Sequence, residues 1–115
     1  MGKKSKYSAK RTAVDGIIFA SKREAQRYII LRAKAREGLI TDLILQPKFI
    51  LQDKFRYEGK GVREIAYLAD FQYVDSDGTT VVEDSKGFRT EGYAIKAKWF
   101  ICKYAKPNGW KFREV

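Results

Sequence analysis

The 115-residue chain contains no histidine, and several chemistries go with it. Histidine–metal nuclease centres, Ser–His and Cys–His nucleophiles and paired-histidine acid–base catalysis all need an imidazole. Cysteine is almost as scarce. Cys102 stands alone, so it forms neither an internal disulfide nor a cysteine-rich zinc site. No apolar run approaches the ~20 residues of a membrane-spanning helix. The amino end has no apolar segment of the kind that begins a secretory signal. These absences point to a soluble, intracellular domain with no membrane partner. Acidic residues are also few, 14 against 24 basic ones, which leaves a formal net charge of +10.

That excess is unevenly placed. Eleven of the basic residues lie within positions 1–36, opposed there only by Asp15 and Glu24. A field of this sign attracts a polyanion, either nucleic acid or an anionic membrane surface. The membrane is the poorer match, because neither expected helix splits cleanly into apolar and basic faces. Lys3, Lys4, Lys6, Lys10 and Arg11 belong to a basic arm over residues 1–14, either a mobile tail or a segment that orders on phosphates. Residues 15–115 form a single domain, long enough for one core but not two.

Ser21 opens a helix that runs to about Glu37, with Gly38 as its stop. Ser21-Lys22-Arg23-Glu24 fits a capping box, in which Ser21 bonds the Glu24 amide and the Glu24 side chain reaches back. Ala25, Tyr28, Ile29 and Ala33 recur at helical spacing and are expected to face the core. Lys48 to Gln52 reads as the first clear strand after Gln46-Pro47, and positions 54–63, with two glycines, as a loop or hairpin turn. One long strand is expected from Glu64 to Asp75, apolar on both faces and therefore central. Thr90 caps a second helix from Glu91 to about Tyr104, with Tyr93, Ala97, Phe100 and Tyr104 as its core stripe. Lys96 and Lys103, seven apart, share another face that meets phosphates or simply solvent. Pro107-Asn108-Gly109 is a turn, and residues 110–115 alternate as a last strand. The order is helix, three strands, helix, strand. The expected fold is α/β (α+β), with a small mixed central sheet of about four strands flanked by helices.

Asp70 is the exception inside the long strand. An ionised carboxylate taken out of water needs a compensating partner. Ser76-Asp77-Gly78 supplies a three-residue hairpin loop, with glycine where φ must be positive. If Asp75 pairs with Thr79, counting back along both strands sets Asp70 opposite Asp84, with Cβ atoms about 4.5–5.5 Å apart. Two such carboxylates either share a cation or leave one of the pair protonated. Lys86 lies two residues beyond Asp84 on the same face, while Glu83 and Ser85 point the other way. A structural alternative is an Asp84–Lys86 ion pair beside a hydrogen-bonded Asp70.

These residues also carry a resemblance. Asp70 followed by Asp84-Ser85-Lys86 on the next strand is similar to the PD-(D/E)xK signature of restriction-endonuclease-like nucleases, with Ala69 where the signature has proline. Four ordered blocks resemble, more closely, a phage-encoded group of domains of unknown function related to endonuclease I-type Holliday junction resolvases. The blocks are Phe19-x-Ser21-Lys22-x-Glu24-Ala25-x-x-Tyr28, Gln46-Pro47-x-Phe49, Tyr67-x-Ala69-Asp70-Phe71 and Val82-Glu83-Asp84-x-Lys86-Gly87. The resemblance implies a restriction-endonuclease-like fold and a Mg²⁺- or Mn²⁺-dependent endodeoxyribonuclease in a bacterial or phage-infected cytoplasm. It implies action in phage DNA recombination, branched-DNA resolution or genome processing. Asp70 and Asp84 would bind the metal, Glu24 would complete its shell unless the helix cap holds it, and Lys86 would orient or activate the attacking water. DNA is the implied partner, contacted by the arm and by Lys22, Arg23, Arg27, Lys96 and Lys103. A homodimer is compatible with cutting both strands. The competing function is a non-catalytic basic DNA-binding protein on the same fold.

Overall fold

The computed structural model describes residues 11–86 and 89–115. It is a mixed α+β fold built on a four-stranded sheet in the order β10-β9-β8-β3. Here β3 is Thr41–Leu45, β8 is Phe71–Val74, β9 is Thr80–Asp84 and β10 is Lys111–Glu114. The β3–β8 and β8–β9 pairs are antiparallel, whereas β10 runs parallel to β9. A parallel neighbour needs a crossover. The chain makes it through helix α2 (Glu91–Phe100), a π-helical segment (Ile101–Ala105) and a last helical turn, α3 (Lys106–Asn108).

Helix α1 (Lys22–Arg36) is capped by Ser21, whose hydroxyl accepts from the Glu24 amide at 3.1 Å. Its buried positions are Glu24, Ala25, Tyr28 and Leu31. Ile29 and Ala33, expected inside, are exposed. The inward stripe runs through Leu31 instead, because position 31 lies three residues beyond Tyr28 and six beyond Ala25. Leu31 packs with Phe19, Ile40, Phe71, Tyr73 and Val81 in a core on one side of the sheet. A second core lies under α2, where Phe49, Leu51, Tyr67, Ala69, Val82 and Phe100 meet. Val81 and Val82 fall in different cores because successive residues of a strand point to opposite faces.

The hairpin register is the one expected. Phe71 pairs with Glu83, Gln72 with Val82, Tyr73 with Val81 and Val74 with Thr80. The loop closes through the Asp75 amide on the Thr79 carbonyl at 2.8 Å, with Gly78 at φ +84.

The single long strand expected over positions 64–75 is two. β7 (Ile65–Leu68) pairs with β4 (Lys48–Gln52), while β8 pairs with β3 and β9. Between them Ala69 and Asp70 leave the strand, and the facing chain breaks at the same level at Gln46-Pro47. The breaks are tied together: the Gln46 amide donates to the Asp70 carbonyl at 2.9 Å, and the Ala69 amide to the Pro47 carbonyl at 3.1 Å. Gln46 takes φ +51, and Pro47 has no amide to continue a ladder. Strict alternation would put Tyr67, Ala69, Phe71 and Tyr73 on one face. The kink instead sends Tyr67 and Ala69 into the α2 core and Phe71 and Tyr73 into the α1 core.

Two further strand pairings complete the outline. β1 (Thr12–Val14) and β2 (Ile17–Phe19) form a hairpin, so the folded part starts inside the expected arm. β5 (Phe55–Tyr57) and β6 (Lys60–Val62) form an exposed hairpin where a loop or hairpin turn was expected. Of the turn expected at Pro107-Asn108-Gly109, Pro107 and Asn108 belong to the helical turn Lys106–Asn108, and Gly109 at φ +70 ends it. Among the described residues no helix is long and apolar enough to cross a membrane.

Candidate functional site

The end of β9 carries two acidic side chains with different fates. Glu83 points to the α1 side, is fully buried, and accepts from both Arg27 Nε and Nη2, at 2.8 and 2.7 Å. It also accepts from the Tyr73 hydroxyl. Burial and this carboxylate push the Tyr73 hydroxyl up to about 12. Asp84 points to the α2 side and is equally buried. Its Oδ2 accepts from the Tyr67 hydroxyl. Lys86 Nζ lies 3.2 Å from Oδ1, but at an angle that leaves Oδ1 with no hydrogen bond.

Asp70 sits at the kink, one step before β8. It is not a ladder partner of Asp84, because the pairing stops at Phe71 and Glu83 and the Asp70 amide donates to the Glu83 carbonyl at 3.1 Å. Its side chain reaches across to the same strand end, where Oδ2 accepts from the Ser85 amide at 2.6 Å. Glu24, in the first turn of α1, completes the group. Its amide donates to the Ser21 hydroxyl, as a capping box requires, while the Gln46 side chain beside its carboxylate pulls its pKa down. The left-handed residue of the kink thus meets the helix acid.

The electrostatics show that these groups share one environment. Burial, joined by the nearby charges of Asp70 and Asp84, pushes Glu24 up to about 7, against the pull of Lys86. Burial pushes Asp84 up to about 6, again against Lys86. Asp70 is raised by burial, which outweighs the Ser85 amide and Lys86. Three carboxylates held above their ordinary range around one ammonium form a site where charge is under-compensated.

Oxygen donors of this kind suit Mg²⁺ or Mn²⁺. Asp84 Oδ1, buried and without a hydrogen bond, is the atom best fitted to a cation. Among the described residues no three acidic side chains are already drawn together as a metal cage. The chemistry of the donors fits such an ion. A closed coordination sphere is not preformed.

Lys86 is partly exposed and lies over the Tyr93 ring, 5.0 Å from its centroid. The two line a groove of about 510 Å³ with Ala66, Tyr67, Leu68, Thr90, Gly92 and Lys96. Tyr93 is fixed from behind, its hydroxyl donating to Glu114 Oε2 at 2.6 Å, and burial raises its pKa.

The expected phosphate-binding residues do not stay together. Lys3, Lys4, Lys6 and Lys10 lie outside the described residues. Arg11 and Lys22 are exposed. Arg23 donates to the Val115 carbonyl at 3.0 and 3.3 Å. Arg27 is committed to Glu83, so its guanidinium neutralises an internal acid rather than a ligand. Lys103 donates to the Leu51 carbonyl at 2.8 Å. The π-helical segment changes the residues per turn, and so removes Lys103 from the face of Lys96. Lys96 alone of the set lines the groove beside Lys86.

Tyr67 and Gln46, quoted only in the resemblance blocks, Tyr93, expected in the core, and the Ser85 amide were given no site role by sequence. Tyr67 is hidden by the alternation rule, since Asp70 would face away from it in an unbroken strand. Gln46-Pro47 did carry a signal, as a break in an apolar stretch.

Fold and site together define a small α+β protein with a buried acidic cluster and one lysine at the mouth of a groove. The chain belongs to the family described as "Protein of unknown function (DUF1064)", whose model matches residues 4–114. No curated protein and no solved structure gives a significant match.

Proposed function

We propose that this protein is a Mg²⁺- or Mn²⁺-dependent endodeoxyribonuclease that hydrolyses phosphodiester bonds. The observation that carries the reading is that Asp70, Asp84 and Glu24, all with raised pKa values, each feel the charge of Lys86, which lines an open groove. The similarity to PD-(D/E)xK nucleases adds the order of the same residues along the chain.

Asp84 and Asp70 would hold the metal, with Glu24 as the third acid. When bound, the ion would polarise the phosphate and lower the pKa of a water. The chain's own groups do the rest. Tyr67 and the Ser85 amide each fix one carboxylate oxygen, which leaves Asp70 Oδ1 to a ligand, while Asp84 Oδ1 would be shared between a ligand and Lys86 at 3.2 Å. Lys86 offers its ammonium to the groove, where it offsets charge on a phosphoryl oxygen or orients the attacking water. Glu24, with a pKa of about 7, takes up or releases a proton near neutrality. Branched DNA, as in recombination and phage genome processing, is the substrate class favoured by the resemblance. A homodimer would supply the two centres needed to cut both strands.

The 3.2 Å Asp84–Lys86 contact and the Asp70–Ser85 bond favour a second reading, a non-catalytic DNA-binding protein with structural acids. One panel separates the two. Supercoiled, linear, single-stranded and four-way-junction DNA are incubated with Mg²⁺, Mn²⁺ or chelator. The nuclease reading expects metal-dependent cleavage that Asp84→Asn abolishes while binding persists. Cleavage undiminished in Asp84→Asn or in chelator overturns it, as does binding of DNA with no cleavage of any form.

A further inference from the structure

The groove beside Lys86 does not end at Lys96. A second hollow of about 500 Å³ shares Ala66, Leu68 and Lys96 with it and extends over the β4–β7 pair. Its remaining lining is Lys48, Lys54, Arg63 and Glu64. Lys54 precedes β5 and Arg63 follows β6, so the two flank the base of the exposed hairpin. Lys48 is cancelled by Glu64 at 2.7 Å. Among the described residues Lys54, Arg63 and Lys96 have no ion-pair partner.

This arrangement differs from the spread of charge along the sequence. The chain's basic excess is greatest in its first third, yet Arg27 and Arg32 there are held by Glu83 and Asp15. Lys54, Arg63 and Lys96, three cations without an ion pair, instead line two adjoining hollows that start at Lys86. An elongated trough lined by separated cations, with one neutralised pair in its wall, matches a chain of phosphates better than a single small anion. The hairpin at its far end also exposes Phe55 and Tyr57, surfaces on which bases can stack.

We propose that this trough is a track for the sugar–phosphate backbone of a nucleic acid, with Lys54, Arg63 and Lys96 as its phosphate contacts. The strand is led along the β4–β7 side of the protein toward Lys86. The proposal rests on the nuclease reading only for the role of that end. Phosphate retention itself does not require cleavage.

The test is therefore made in chelator, where no metal-dependent hydrolysis occurs. Fluorescence anisotropy follows the full chain on labelled duplex DNA, single-stranded DNA and RNA over a range of salt. A Lys54→Ala/Arg63→Ala/Lys96→Ala variant is compared with a control of equal charge, Lys98→Ala/Lys106→Ala/Lys111→Ala. Circular dichroism and thermal unfolding establish that both are folded. The track predicts that the groove variant binds weaker by on the order of tenfold or more, and that its log K against log salt slope falls by about 1 per residue removed. The control loses little affinity. The three probes show whether one strand or a duplex is held. Equal losses in the two variants overturn the track, and so does a native chain that retains none of the three polymers at low salt. A groove variant that binds normally leaves the nuclease reading standing, while loss of binding in a chain that never cleaves sinks only the nuclease.

Discussion

Arg27 and Glu83 meet in a two-pronged ion pair on the α1 side of β9, back to back with Asp84 on the α2 side. Neighbouring acids on one strand are thus assigned opposite tasks by the two-residue period of the strand alone. One is matched by a guanidinium and a tyrosine hydroxyl. The other also has a tyrosine hydroxyl, but its cation is a single lysine at 3.2 Å and its pKa is raised.

A matched buried pair contributes little over an apolar pair of similar shape, but removing one partner strands a charge. Arg27→Ala is therefore expected to destabilise the fold by about 3–5 kcal/mol, because Glu83 stays buried without its cation. Urea denaturation measures this. Arg27→Met combined with Glu83→Leu should recover most of the loss. If Arg27→Ala unfolds at the native urea midpoint, Glu83 is not held in the way described.

Much of this was legible in the chain. The Ser76-Asp77-Gly78 loop set the register, and the register put Glu83 and Asp84 on opposite faces. Ser21 announced the first helix. What alternation could not show is a strand that stops alternating. The paired breaks at Gln46-Pro47 and Ala69-Asp70 turn the ribbon from one face of the sheet to the other, which brings Tyr67 to Asp84 and Gln46 to Glu24. Each is a contact between segments distant in sequence, and the turn that makes it depends on a backbone hydrogen bond between the two breaks. Lys103 was misplaced for a related reason, since a seven-residue spacing keeps one face only while the helix stays α.

The raised carboxylates make stability depend on pH in a defined direction. An acid whose pKa is higher in the folded state binds its proton more tightly there. Its contribution is full below the unfolded pKa and is lost as pH rises through the folded one. For Glu24 that window runs from 4.5 to about 7, and for Asp84 from 3.8 to about 6. Asp15 acts oppositely, since its bonds to Arg32 and Tyr28 lower its pKa and are lost as pH falls below 3.8. In chelator, Tm should fall as pH is raised from about 5 to about 7.5. Glu24→Gln should flatten that slope and raise Tm at the upper end. A variant with the native slope would remove Glu24 from the cluster.

Among the described residues Lys86 is the only cation paired with Asp84, and it stands at the mouth of the groove. If it stabilises charge on the reacting phosphate, Lys86→Ala should lower cleavage on the order of 10²–10³-fold. Binding measured in chelator should change by no more than one phosphate contact. Arg in its place keeps the charge but spreads it over a planar fork, so only partial recovery is expected. Equal loss of binding and cleavage would reduce Lys86 to a phosphate anchor.

The acidic cluster also predicts how the fold responds to divalent ions. At pH values where Asp70, Asp84 and Glu24 are all ionised, the folded chain bears three poorly matched negative charges. A cation that binds them binds only the folded state, because the unfolded chain scatters them along 61 residues of sequence. Saturation to about 100 times Kd should then add about 2.7 kcal/mol of stability. Mg²⁺ and Mn²⁺ should therefore raise Tm at about pH 7.5 and do little at about pH 5, where protons compete for the same oxygens. Asp84→Asn should be more stable than the native chain in chelator, since it removes a charge from a buried position, yet it should lose the metal-induced rise. Differential scanning fluorimetry distinguishes this from general ionic screening, because monovalent salt of equal ionic strength would leave the native and Asp84→Asn chains shifted alike. A Tm rise with Mn²⁺ that survives in Asp84→Asn would place the ion elsewhere and leave Asp84 as a structural acid.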